Sequence, residues 1–69
     1  MKDGIFLIEM GKKIKAHRKA LKLTYPKLSE LTKISVAALW FIENGRRDVH
    51  ILNLKKLADC FEVDVKDFL

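Results

Sequence analysis

The sequence is poor in the residues that build most alternatives to a plain helical core. Cys60 is the only cysteine in 69 residues. This excludes an internal disulfide framework and a cysteine-based structural zinc site. One proline and three glycines are present, and no Asn-Gly or Asp-Gly turn lies between alternating apolar runs, so no hairpin signal remains. The apolar run Ile5–Ile8 is closed by Glu9 and then by Lys12 and Lys13. It is too short for a signal-peptide core or a bilayer span, and the chain reads as soluble and cytoplasmic with no membrane partner. A glycine-rich phosphate loop, a metal motif and a nucleophile spaced to a base are all missing. No enzyme, cofactor or metal is expected.

What is present is apolar residue and positive charge. Apolar residues make up 49% of the chain, enough for a compact core and against wholesale disorder. At this length one domain is expected over residues 1–69, burying roughly 60% of its unfolded surface. A small domain without covalent staples often gains stability from a partner subunit. The formal charge of +5 is uneven: residues 1–22 carry +5, residues 23–47 carry +2 and residues 48–69 carry −2. The basic part suits a polyanion, while the acidic last third suits the far side of the molecule or a subunit contact.

Apolar spacing divides the chain into five helices, an all-α fold. Leu7, Met10, Ile14, His17 and Leu21 form one stripe on the first helix, and Gly11 weakens it enough that residues 5–10 are a separate start or extension. A second helix over 25–32 is capped by Thr24, tolerates Pro26 in its first turn and turns Leu28 and Leu31 inward. Ser35 caps a third helix over 36–43, which Asn44-Gly45 ends. A fourth over 51–61 aligns Leu54, Leu57, Ala58 and Phe61, with His50 a poorer cap than Ser or Thr. Asp64 caps a short fifth helix ending in Phe68 and Leu69.

The specific signal is two short helices joined by Lys33-Ile34-Ser35, the second followed by a basic loop, which is what a helix-turn-helix needs to enter a major groove. From Ile14 onward the chain resembles the lambda-repressor-like (Cro and repressor, or XRE) DNA-binding domain. The matching stretches are Ile14-Lys15-Ala16-His17-Arg18, Leu23-Thr24, Leu28-Ser29-Glu30-Leu31, Ile34-Ser35, Leu39, Ile42-Glu43-Asn44-Gly45-Arg46-Arg47 and Leu54-Lys55-Lys56-Leu57-Ala58, ending in Val63. They cover residues 10–69, with 1–9 as an N-terminal extension. Gly45 to Leu54 is further similar to the small controller proteins of restriction–modification systems, which are single-domain dimers.

The resemblance implies a compact five-helix domain. Its second helix would lie across the DNA backbone and its third in the major groove. It places Arg18 and Glu43 at the family's structural ion pair and Tyr25 where a glutamine often bonds a phosphate. Ser35, Val36, Ala37, Trp40 and Phe41 fall at base-reading positions, and Arg47 at a loop arginine that reaches DNA. Thr24, Lys27, Lys33 and Arg46 complete the expected contacts with double-stranded DNA.

Here the sequence departs from the pattern. Polar side chains are the usual instruments of base readout, and this third helix offers Val, Ala, Trp and Phe instead. Three readings stay open. Val36, Ala37 and Phe41 contact thymine methyls while Arg46, Arg47 and Lys33 hold phosphates; or Trp40 and Phe41 form a protein-binding surface; or Trp40 packs back under the basic loop or the segment Ile5–Ile8. His17, on the apolar stripe, reads as a packed residue, and Cys60 as a core or interface residue. The expected function is a transcriptional regulator binding DNA as a homodimer, with Ile51, Phe61, Phe68 and Leu69 as dimer residues alongside a core role for some. The other reading is an antitoxin-like protein-interaction module on the same scaffold.

Overall fold

Helix order follows the sequence closely. The computed structural model describes residues 2–69, with side chains described from residue 4. The chain runs as α1 Lys2–Ala20, α2 Tyr25–Thr32, α3 Val36–Glu43, α4 Ile51–Phe61 and a 3-10 turn Val65–Phe68. No strand occurs among the described residues. The expected fifth α-helix is this single turn. Its bonds run from residue i+3 back to i, with Asp67 N–H donating to Asp64 O at 2.9 Å and Leu69 N–H to Lys66 O at 3.1 Å. Such tight winding is used in short pieces.

The caps explain the boundaries. Thr24 Oγ1 accepts from Lys27 N–H at 3.2 Å and Ser35 Oγ from Ala38 N–H at 3.1 Å, each satisfying an amide that the first helical turn leaves without a partner. His50 does cap α4: its Nδ1 accepts from Leu52 N–H at 3.2 Å. α3 ends in a Schellman motif, with Arg46 N–H on Phe41 O at 2.8 Å and Gly45 N–H on Ile42 O at 3.2 Å. Gly45 supplies the left-handed backbone, φ +66°, that this motif requires.

The expected break at Gly11 is absent, and residues 5–10 continue α1 without interruption; Met1 of the expected extension lies outside the described residues. Gly11 is a notch for α3. A Cβ built there would lie 2.5 Å from Glu43 O and 2.6 Å from Ile42 O. Close approach of α1 and α3 outweighs the cost of about 1 kcal/mol that glycine imposes on a helix interior.

The core consists of Met10 and Ile14 from α1, Leu28 from α2, Ile34 from the turn, Leu39 and Ile42 from α3, Leu54, Leu57, Ala58 and Phe61 from α4, and Phe68. Three expectations change. Leu21 is exposed, because α1 stops at Ala20 and Lys22 turns left-handed, φ 57°. Leu31 is exposed as well. The partner of Leu28 one turn on is Thr32, which donates to Leu28 O at 2.8 Å and accepts from Ile34 N–H at 3.3 Å. Phe61 and Phe68 are fully committed to the core, packed with His17, whose ring stacks on Phe61 at 5.7 Å and meets Phe68 edge-on at 5.6 Å. Neither phenylalanine is free for a dimer contact.

Gly11→Ala should therefore destabilise the fold by about 1–3 kcal/mol, since the new methyl meets backbone that cannot swing aside. Thermal unfolding should show a lower Tm. A rise in Tm, as helix propensity alone would give, would overturn the notch.

Candidate nucleic-acid interface

The exposed face of α3 is held in place from behind. Arg18 of α1 donates from Nε to Glu43 Oε2 at 2.7 Å and from Nη2 to Oε1 at 3.1 Å, and its Nη1 donates to Leu23 O at 2.8 Å. Tyr25, the first residue of α2, donates its hydroxyl to Glu43 Oε1 at 2.8 Å. Its ring lies under the guanidinium, 4.4 Å from Cζ. The Glu43 side chain is 0% exposed. No buried side-chain nitrogen or oxygen among the described residues lacks a partner. A buried charge is tolerated only when paired and bonded in this way, and removing one member strands the other at a cost of roughly 3–5 kcal/mol.

The network changes the acid–base character of its members. The bond to Glu43 raises Arg18 above its ordinary value, against the opposing effect of burial. Burial raises the Tyr25 phenol, helped by its bond to Glu43. The hydroxyl proton expected to reach a phosphate is therefore already given to a carboxylate.

With Leu39, Ile42 and Glu43 turned inward, α3 shows the opposite side to solvent. Val36, Ala37, Trp40 and Phe41 form this strip, since residues three and four positions apart share a helix face. Trp40 is 44% exposed and Phe41 38%. Their rings meet edge-to-face at 5.3 Å. Trp40 is thus not folded away under the basic loop; the segment Ile5–Ile8 meets that loop through Ile8, whose Cα lies 2.7 Å from where a Gly45 Cβ would be.

Cations bracket the strip. Lys33 occupies the turn before α3 in a left-handed conformation, φ 64°, with its N–H on Ser29 O at 2.7 Å. Arg46 and Arg47 follow α3, exposed and with no described carboxylate in ion-pair distance. Arg47 lies over Phe41, with Cζ 5.1 Å from the ring centroid. Lys27 pairs loosely with Glu30 at 3.4 Å on the α2 surface, where such pairs are weak. Thr24 and Ser35 use their oxygens as caps.

A second surface was legible in the sequence only through Ile51 and Leu69. Phe6, Met10, Val49 and Leu69 line a groove of about 320 Å3. Ile5, Ile51, Leu52 and Leu69 are among the most exposed large apolar residues of the chain. Of the expected dimer residues, Ile51 and Leu69 are exposed. Ile5, Phe6 and Leu52 had no signal beyond falling outside the helix stripes. The Phe41–Arg47 stack had one: the glycine at position 45 folds the chain back on the last turn of α3. Burial raises the Cys60 thiol, which leaves less of the reactive thiolate.

Tyr25 is the only tyrosine, so its titration can be followed by tyrosinate absorbance. Its native pKa is raised, so the native state holds the proton more tightly than the unfolded chain. That contribution to stability is full below the ordinary value of 10.0 and lost as pH climbs through the native pKa. Absorbance should rise at higher pH in native protein than in urea; coincident curves would overturn the burial of the phenol and its bond to Glu43.

The helix-turn-helix family model HTH_3 matches residues 14–68. Among solved structures, the restriction-modification controller protein C.AhdI from Aeromonas hydrophila superposes with a TM-score of 0.87 at 24% identity, over 91% of this chain and 96% of that one. An HTH_3 family transcriptional regulator from Vibrio cholerae gives 0.87 at 30% identity, over 96% of this chain but 37% of its own. The DNA-binding domain of BldD gives 0.85 at 25% identity over 96% of each. No curated protein matches in sequence. No described helix is long and apolar enough to cross a membrane. By its sequence over residues 14–68, and by the paired helices α2 and α3 on this scaffold, the chain belongs to the HTH_3 family of helix-turn-helix DNA-binding regulators, not to an enzyme family.

Proposed function

We propose that this protein is a sequence-specific transcriptional regulator that binds duplex DNA as a homodimer, each subunit placing α3 in a major groove. The observation that carries this reading is the bracketing of the exposed α3 strip by Lys33 at one end and Arg46 and Arg47 at the other. Cations at both ends suit a recognition helix, because phosphates flank the groove on both sides and contacts to them fix its register. The single-domain reading over residues 1–69, similar in extent to the controller protein, belongs to the same proposal.

Thr24, Tyr25 and Lys27 start the helix that would cross the backbone. Of these, Lys27 retains a cation for phosphate, whereas Tyr25 serves through Glu43 by fixing α3. The exposed residues Ile51 and Leu69 support a dimer contact, to which Ile5, Phe6 and Leu52 add apolar area. The aromatic pair Trp40 and Phe41 favours one other reading, a protein-interaction surface in which DNA plays no part.

A salt titration against duplex DNA separates the two. DNA binding should weaken steeply as salt rises, and Arg46→Ala should lower the slope by roughly one. Absence of binding at low salt would sink the proposal. Lys33→Gly gives a sharper test. Relief of its left-handed backbone should raise stability by about 0.5–1 kcal/mol, while loss of the charge should weaken DNA binding; affinity unchanged by this variant would remove Lys33 from the interface. Ile51→Asp should shift the sedimentation coefficient from dimer to monomer, and an unchanged coefficient would move the dimer contact elsewhere.

A further inference from the structure

The chemistry of the α3 strip restricts what it can read. From Val36 to Ile42 the side chains are Val, Ala, Ala, Leu, Trp, Phe and Ile. The Trp40 indole N–H is the one side-chain hydrogen-bonding group among them, and it is a donor only. Bidentate recognition of adenine needs Asn or Gln, and that of guanine needs Arg or Lys. Neither kind is on the helix. Ser35, at its start, has its oxygen on the Ala38 amide.

One base-edge group in the major groove is complementary to aliphatic side chains: the 5-methyl of thymine. Phe41 has another task, since the Arg47 guanidinium covers its ring. Val36, Ala37 and Trp40 remain, exposed together on the first turn and one turn later. The occupant is set by the cations on both sides of this apolar strip, since a polyanion fits the bracket and an apolar protein partner would have to desolvate it. Resting on the DNA-binding reading above, we infer that Val36, Ala37 and Trp40 select DNA by contact with 5-methyl groups of thymines. Phe41 acts as a positioning residue that holds Arg47 at the edge of the strip.

The test uses the full chain and a random-sequence duplex library. After selection, the enriched duplex is remade with deoxyuridine in place of thymidine, one position at a time, which removes a single methyl and keeps base pairing. Affinity should fall roughly fourfold at each contacted position, the value expected for one buried methyl-sized group. In Val36→Ala and Ala37→Ser, sensitivity should shrink at the position each residue touches. Enrichment with full affinity for the uracil duplex at every position would overturn the inference and leave DNA binding intact. So would a uracil effect identical in wild type and both variants, which would assign it to duplex shape. No binding to any duplex at low salt would overturn the DNA-binding reading itself.

Discussion

The buried contact of Arg18 with Glu43, with Tyr25 sharing the same carboxylate, joins three helices at one point. Arg18 stands near the end of α1, Tyr25 begins α2 and Glu43 ends α3. Each supplies what the others need around the fully buried Glu43 carboxylate. The guanidinium answers the carboxylate with two parallel bonds, the phenol donates a third to the same carboxylate, and Leu23 O accepts a further N–H of the arginine. Planar bidentate pairing fixes orientation as well as distance. The rotation of α3 about its axis follows from it, and with that rotation the identity of the residues it shows to solvent.

Gly11 completes the same constraint from the other side. α1 can approach the carbonyls of Ile42 and Glu43 because no side chain intervenes. The ion pair and the notch together pin the C-terminal end of α3, where the Schellman turn at Gly45 then directs Arg46 and Arg47 back toward the helix. A basic loop is common on protein surfaces; this one is aimed by the end of the helix it serves. The stack of Arg47 on Phe41 continues this order outward, since an arginine laid over a ring has given up part of its side-chain freedom before any ligand arrives.

The division of labour across the molecule is then physical. Charge at both ends of α3 supplies long-range attraction without sequence information. The apolar strip between them supplies contact without long-range attraction. Phe61 and Phe68 close the core around His17, and outside the α3 strip the large apolar residues left exposed include Ile5, Phe6 and Ile8 of α1, Ile51 and Leu52 at the start of α4, and Leu69. The two ends of the sequence meet here, with Lys13 of α1 donating to Leu69 O at 2.9 Å.

Much of this was legible in sequence. Periodicity with Thr24, Ser35 and Gly45 gave the bounds of α2, α3 and α4, because capping chemistry is local and needs no knowledge of the rest of the chain. Pairing of Arg18 with Glu43 came from resemblance, and the structure shows it made. Three outcomes needed the tertiary structure. Gly11 reads as a helix breaker until α3 is laid against it, because propensity counts only the helix's own backbone. Leu31 and Leu21 look inward by spacing, yet short helices bury what their neighbours can cover, and Thr32 took the place of Leu31. Phe61 and Phe68 could have served core or interface equally by composition, and packing against His17 decided for the core. Sequence by itself determined the bounds of α2, α3 and α4 and the family they form. Only the folded chain decided which side chains remain outside, since exposure depends on every neighbour at once.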